Sequence, residues 1–85
     1  MEIKLENHFA DYEHFAKVLV HEIFTTNGLE DKLSDIEHID WESDQGRNIW
    51  IQTSDLEYQI RTWNIYDTEE EVEVEYSLIE VSSEY

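Results

Sequence analysis

Carboxylates are the groups in this sequence whose type and spacing could do chemistry. Of its 85 residues, 22 are Asp or Glu and 5 are Lys or Arg, which gives a formal net charge of −17. Glu71, Glu73 and Glu75 alternate with apolar residues, and side chains two apart on a strand point the same way at a spacing of about 6.6–6.8 Å. A rigid sheet could therefore hold them as a regular anionic row, although an ordinary solvated strand face has the same alternation.

Metal chemistry has weaker support. The four histidines are His8, His14, His21 and His38. His14 and His21 share a helix face but are separated by about 10.5 Å of helix rise, too far to bind one metal ion. The segment 40–48 has the alternating acids of a calcium loop, but its glycine is displaced and Ile51 stands where a glutamate is required. There is no cysteine. We expect neither a metal site nor a cofactor.

Catalytic motifs are also missing from the sequence. It has no Gly-rich phosphate loop and no G-x-S-x-G turn. Carboxylate pairs are so numerous that none stands out as a general acid and base, and a chain this short leaves little volume for a substrate cleft. We expect a protein that is not an enzyme.

The sequence predicts one amphipathic helix near its start. Tyr12, Phe15, Ala16, Leu19 and Ile23 fall on one apolar stripe. The pattern predicts a helix from 7 to 27, with Asn7 or Asp11 as its N-cap and Gly28 just after its end. A short turn or helical piece follows.

The sequence also predicts several strands, and these carry most of the acidic residues considered above. Alternating residues predict an opening strand around Ile3 and Leu5. Further strands are predicted at Ile36 to Ser43, Asn48 to Thr53, Leu56 to Tyr66 and Glu71 to Val81, joined by short turns. Such neighbours are antiparallel. We predict one α+β domain spanning residues 1–85, in which one amphipathic N-terminal helix packs on an antiparallel meander of four or five strands.

The candidate binding residues are acidic side chains near the turns and last strand, together with two tryptophans predicted to face away from the helix. They are Glu42, Asp44, Trp50, Trp63, Asp67, Glu69, Glu70, Glu71, Glu73 and Glu75. Exposed aromatics on an acidic sheet are candidate interface anchors. Alternatively, the two indoles stack on each other, or a bulge turns one of them into the core.

The charge indicates the kind of partner. A chain at −17 repels nucleic acid and anionic membranes. The strand spacing is close to twice the ~3.4 Å axial charge spacing of one DNA strand. With its small size and acidic stretch from Glu69 to Glu75, the chain resembles the small acidic nucleic-acid-mimic inhibitors of phages, such as anti-CRISPR, anti-restriction and uracil-DNA glycosylase inhibitor proteins. The resemblance implies inhibition of a basic nuclease or other DNA- or RNA-binding protein.

Two other functions remain open. An immunity protein that neutralises a basic nuclease toxin would have the same electrostatics, and an assembly subunit would match its charge to a partner. Salt adaptation fits poorly, because 15 Glu outnumber 7 Asp. Without a signal peptide or an apolar span, we expect a cytoplasmic protein, located in the host cytoplasm if phage-encoded. The oligomeric state and the choice between DNA and RNA stay open.

Overall fold

A five-stranded antiparallel sheet carries one α-helix on one side. The computed structural model describes residues 1–7, 9, 11–41 and 48–81. In chain order the elements are β1 (Glu2–Glu6), α1 (Tyr12–Thr26), a 3-10 helix (Glu30–Asp35), β2 (Ile36–Trp41), β3 (Asn48–Thr53), β4 (Glu57–Asp67) and β5 (Glu71–Val81). The strand order is β1-β5-β4-β3-β2, and every neighbouring pair is antiparallel. The predicted α+β fold is confirmed, with the meander formed by β2 to β5.

Helix α1 begins later than predicted. Asp11 is its N-cap, and the Asp11 carboxylate accepts a hydrogen bond of 2.9 Å from the backbone N–H of His14. The predicted start at Asn7 is wrong, because Asn7 instead donates its backbone N–H to the carbonyl of Glu70. At the other end Gly28 takes the left-handed conformation with φ +75, as predicted. A residue without Cβ adopts that conformation at no steric cost.

The core lies between α1 and one face of the sheet. The buried helix residues are Phe15, Ala16, Leu19, Val20, Ile23 and Phe24. The buried hydrophobic residues of the sheet come from β1, β3, β4 and β5 and are Leu5, Ile49, Ile51, Tyr58, Ile60, Val72, Val74 and Tyr76. The rings of Phe24 and Tyr58 meet edge to face with centroids 5.2 Å apart. Period-2 alternation therefore places one face of each of these strands against the helix.

The strand boundaries follow the turns between them. Strands β3 and β5 have the predicted bounds. Strand β4 begins at Glu57 rather than Leu56, because the N–H and C=O of Leu56 both bond to Thr53 in the preceding turn. Strand β2 is described as far as Trp41. Its predicted end at Ser43 and the predicted connection at 44–47 lie outside the described residues.

Strand β1 lies beside the acidic strand. It pairs with β5 from Glu2 opposite Glu75 to Glu6 opposite Glu71. The ammonium group of Met1 extends this ladder by donating to the carbonyl of Tyr76 at 2.9 Å. Strand β5 is thus an interior strand, hydrogen-bonded to β1 on one side and β4 on the other. In the described part of the chain, no helix combines the length and apolar character that crossing a bilayer requires.

Candidate protein-binding surface

The sheet has an outer face, defined here as the side that points away from α1. Because Val72, Val74 and Tyr76 are buried in the core, the alternating residues Glu71, Glu73 and Glu75 point to the outer face. Both backbone edges of β5 are paired, so these side chains project from a strand held on both sides. The predicted row of carboxylates therefore stands on a rigid base.

Strand β1 widens this row. Antiparallel partners directly opposite each other share a face. Glu2 lies opposite Glu75, Lys4 opposite Glu73, and Glu6 opposite Glu71. We name the group of Glu2, Glu6, Glu71, Glu73 and Glu75 the carboxylate patch. It is about 13 Å long and two strands wide, close to the axial length of four nucleotides on one DNA strand.

The carboxylates of the patch affect each other. A side-chain hydrogen bond with Glu73 is the main cause that raises the pKa of Glu2, and the negative charge of Glu73 raises it further. The ammonium of Lys4 lowers the pKa of Glu2, but the net shift is upward. Glu2 therefore lies close enough to Glu73 for the two side chains to interact across the β1–β5 pairing.

An indole orders one member of the patch. Trp63 donates its Nε1–H to Glu75 Oε2 at 2.7 Å, and Asn64 donates to the same oxygen at 3.1 Å. The pairing of β4 with β5 shifts register between Thr62 and Asn64. Trp63 lies within this bulge and is 51% exposed. The alternative in which a bulge buries Trp63 is wrong, and Trp63 borders the carboxylate patch.

Tyr66 joins the same border because of the bulge. Before the bulge the even-numbered residues of β4, such as Tyr58 and Ile60, face the helix. After it the parity reverses, so Tyr66 pairs with Glu73 on the outer face and is 54% exposed. Sequence alternation alone assigns Tyr66 to the wrong face, and no signal in the sequence marks the bulge.

Trp50 occupies a different part of the outer face. It lies on β3 between Asp40 of β2 and Gln59 of β4. The pair formed by Asn48 and Arg61 comes next along the strands on the side toward Trp63. The two tryptophans are thus not cross-strand neighbours, and the predicted alternative of stacked indoles is wrong. Trp50 is half-buried and lines a shallow pocket away from the carboxylate patch.

The other predicted acids lie outside the patch. Asp67 pairs with Val72 and therefore lies on the helix side of the sheet, where its carboxylate accepts a hydrogen bond from the Asn7 amide. Glu69 and Glu70 are exposed in the turn between β4 and β5. The predicted residues Glu42 and Asp44 lie outside the described residues.

Sequence reasoning missed the contribution of β1. Glu2, Lys4 and Glu6 alternate with Ile3 and Leu5, which shows that the three charged residues share a face. Their place beside β5 depends on the pairing of β1, which the alternation does not specify.

Two lysines elsewhere are paired with acids that do not belong to the patch. Lys17 contacts Glu13 at 3.2 Å, and Lys32 contacts Asp55 at 3.9 Å. Within residues 1–7, 9, 11–41 and 48–81, no three His, Asp or Glu side chains are grouped so that they could hold a metal ion. No protein-family model matches the sequence, and no curated protein or solved structure shows a significant similarity to it.

Proposed function

We propose that this protein binds the basic nucleic-acid site of a nuclease or another DNA- or RNA-binding protein and blocks it. The observation that carries the proposal is the carboxylate patch, in which five carboxylates lie near Lys4 on the sheet face that points away from α1. The patch would occupy the Lys and Arg side chains that normally contact phosphates. Inhibition is then a competition for one groove, with no bond made or broken and no cofactor.

Rigidity is what distinguishes this surface from an acidic tail. A flexible polyanion loses conformational freedom when it is ordered on a partner, which weakens binding. Here the strand that carries Glu71, Glu73 and Glu75 is already paired on both sides. The spacing of the carboxylates is therefore set before the partner arrives, and the net charge of −17 speeds the encounter with a basic partner.

Such binding should depend strongly on salt. Attraction between exposed charges is screened beyond about 8 Å at physiological ionic strength. The affinity should therefore fall steeply as NaCl is raised, as it does when the same groove binds nucleic acid. We place this activity in the cytoplasm, where nucleases and nucleic-acid-binding proteins of a host cell act.

The test compares two triple variants with the same change in charge. Glu71, Glu73 and Glu75 are changed to Lys in the first variant. Glu30, Asp31 and Asp35 of the 3-10 helix, all exposed, are changed to Lys in the control. Parent and variants are immobilised and exposed to a host lysate at low salt, and bound proteins are eluted with NaCl and identified by mass spectrometry.

The proposal expects basic nucleic-acid enzymes on the parent and the control but not on the first variant. Each captured protein is then assayed for loss of DNA or RNA binding when the parent protein is added. Circular dichroism checks that the first variant folds. Captured proteins that still bind nucleic acid in the presence of a tenfold excess of the parent would contradict the proposal, and so would undiminished capture by the folded first variant.

Exposed apolar side chains favour a second candidate, an assembly subunit whose outer face is covered by a partner. Ile79 lies opposite Gln59 on the outer face and is 41% exposed, and Trp63 is more exposed still. This candidate predicts association in isolation, because apolar area left in water favours contact between copies. Sedimentation velocity at increasing protein concentration tests this candidate, because only the assembly candidate requires a species larger than the monomer in isolation.

A further inference from the structure

Two exposed aromatic rings lie beside two glutamates of the carboxylate patch. Trp63 donates its indole N–H to Glu75 at 2.7 Å, and Tyr66 lies directly opposite Glu73. The rings are 51% and 54% exposed. Large aromatic side chains usually bury most of their surface. Two that remain exposed next to carboxylates form a surface that is both anionic and aromatic.

We infer that this surface, which we name the aromatic border (Trp63, Tyr66, Glu73 and Glu75), recognises arginine in preference to lysine on the partner. The inference rests on the proposed function and specifies the side chains by which the basic partner is held. Its occupant is an arginine-bearing segment of that partner. The preference follows from the difference between the two cations.

A guanidinium group suits this surface better than an ammonium group. It is planar and weakly hydrated, so it can lie flat on an aromatic ring while its N–H groups still reach a carboxylate. The face of an aromatic ring is negative and attracts a cation placed over it. A lysine ammonium is a compact, strongly hydrated point charge without a planar face, so it gains less from lying on an aromatic ring.

The geometry at Glu75 leaves a position for such a group. Oε2 of Glu75 already accepts hydrogen bonds from Trp63 and Asn64, which hold the carboxylate against the edge of the indole. Oε1 accepts none from the residues that the structure describes. A guanidinium lying over the indole can therefore donate to Oε1 without displacing the bonds that order the site.

Charge excludes an uncharged occupant. An apolar partner surface placed over Trp63 and Tyr66 would also remove water from Glu73 and Glu75, and burying unpaired carboxylates is costly. A cationic partner compensates those charges as it covers the rings. The occupant must therefore carry positive charge, and the rings select the kind of cation.

The experiment uses two probes of equal length and charge, an octa-arginine and an octa-lysine peptide. Isothermal titration at low and moderate NaCl measures their affinities for the parent protein. The variants are Trp63→Leu with Tyr66→Leu, and Trp50→Leu as a control on the same face but outside the patch. Circular dichroism verifies that each variant is folded, which the exposure of both replaced rings favours.

We expect the parent to bind octa-arginine about five- to thirtyfold more tightly than octa-lysine, the effect of two exposed cation–π contacts. The double variant should bind both peptides equally, and the Trp50→Leu control should keep the preference. Equal affinities for the parent would overturn the inference while leaving charge-based blocking intact. A preference that survives in the double variant would also overturn it. Failure of the parent to bind either peptide at low salt would overturn both the inference and the proposed function.

Discussion

Glu71 lies directly opposite Glu6, and the two carboxylates are brought together only when β1 pairs with β5. Cross-strand side chains have Cβ atoms about 5 Å apart. Two like charges at that distance repel by roughly 0.8 kcal/mol in water, and by about 0.4 kcal/mol after screening at physiological ionic strength. The change Glu71→Lys converts this repulsion into attraction. The expected gain in the free energy of unfolding is therefore about 0.9 kcal/mol.

The matched control is Glu69→Lys. It changes the net charge by the same amount, but Glu69 is exposed in the turn and has no partner in the pairing of β1 with β5. For a domain of this size, 0.9 kcal/mol corresponds to a rise in Tm of about 3–7 °C relative to the control. Thermal unfolding followed by circular dichroism in 0.15 M NaCl measures this difference.

The same thermal unfolding comparison is repeated at high salt. At 1 M NaCl the screening length is about 3 Å, so the difference between the two variants should fall to about 0.3 kcal/mol, a third of its value in 0.15 M NaCl. A Glu71→Lys protein no more stable than Glu69→Lys would refute the placement of β1 glutamates against β5. An undiminished difference at 1 M NaCl would show that its origin is not Coulombic and would contradict the repulsion assigned to Glu6 and Glu71.

Three further expectations concern single residues. The pKa of Glu2 is raised in the folded protein. The stability contributed by its protonation is therefore present at acidic pH and is lost as the pH rises through the folded pKa. Glu2→Gln should raise Tm at pH 7, and a series of melts at different pH values should show this gain disappearing in acid. Asp11→Ala removes the N-cap of α1 and should cost about 1 kcal/mol in a denaturant titration. Gly28→Ala forces a side chain into a left-handed conformation, although no atom lies within 4 Å of the new Cβ. The free energy of unfolding in the same titration should therefore fall by about 1–2 kcal/mol because of backbone conformation and not because of a clash. Gly28→Asn should lose less.

The core was predictable because one pattern determined it. Ile49 and Ile51 on β3, and Val72 and Val74 on β5, alternate with polar residues, and all four are buried. The same alternation placed Glu71, Glu73 and Glu75 on the outer face. A period of two assigns faces reliably wherever a strand is regular.

Other parts of the site could not be predicted, for two physical reasons. A four-stranded meander has two open edges, and local alternation around Ile3 does not tell which edge β1 joins; the addition of Glu2 and Glu6 to the patch depends on that choice. The bulge at Trp63 inserts one residue and reverses the parity of the rest of β4. Tyr66 is on the outer face for that reason alone.

The sequence left the start of α1 undecided because two residues could cap it. Asn7 and Asp11 are both good N-cap types. The contacts of Asn7 with Glu70 and Asp67 fasten it to the β4–β5 hairpin instead, and Asp11 becomes the cap. Such long-range contacts decide between local signals of similar strength.

The pairing of β1 with β5 also determines when the carboxylate patch forms during folding. Its hydrogen bonds join Met1 to Tyr76, positions 75 residues apart in the chain, so a ribosome has synthesised β1 long before β5 emerges. Loops that long are closed late and slowly during folding. The surface is therefore complete only after this long-range pairing has formed, and a chain severed from β1 keeps three of its five carboxylates.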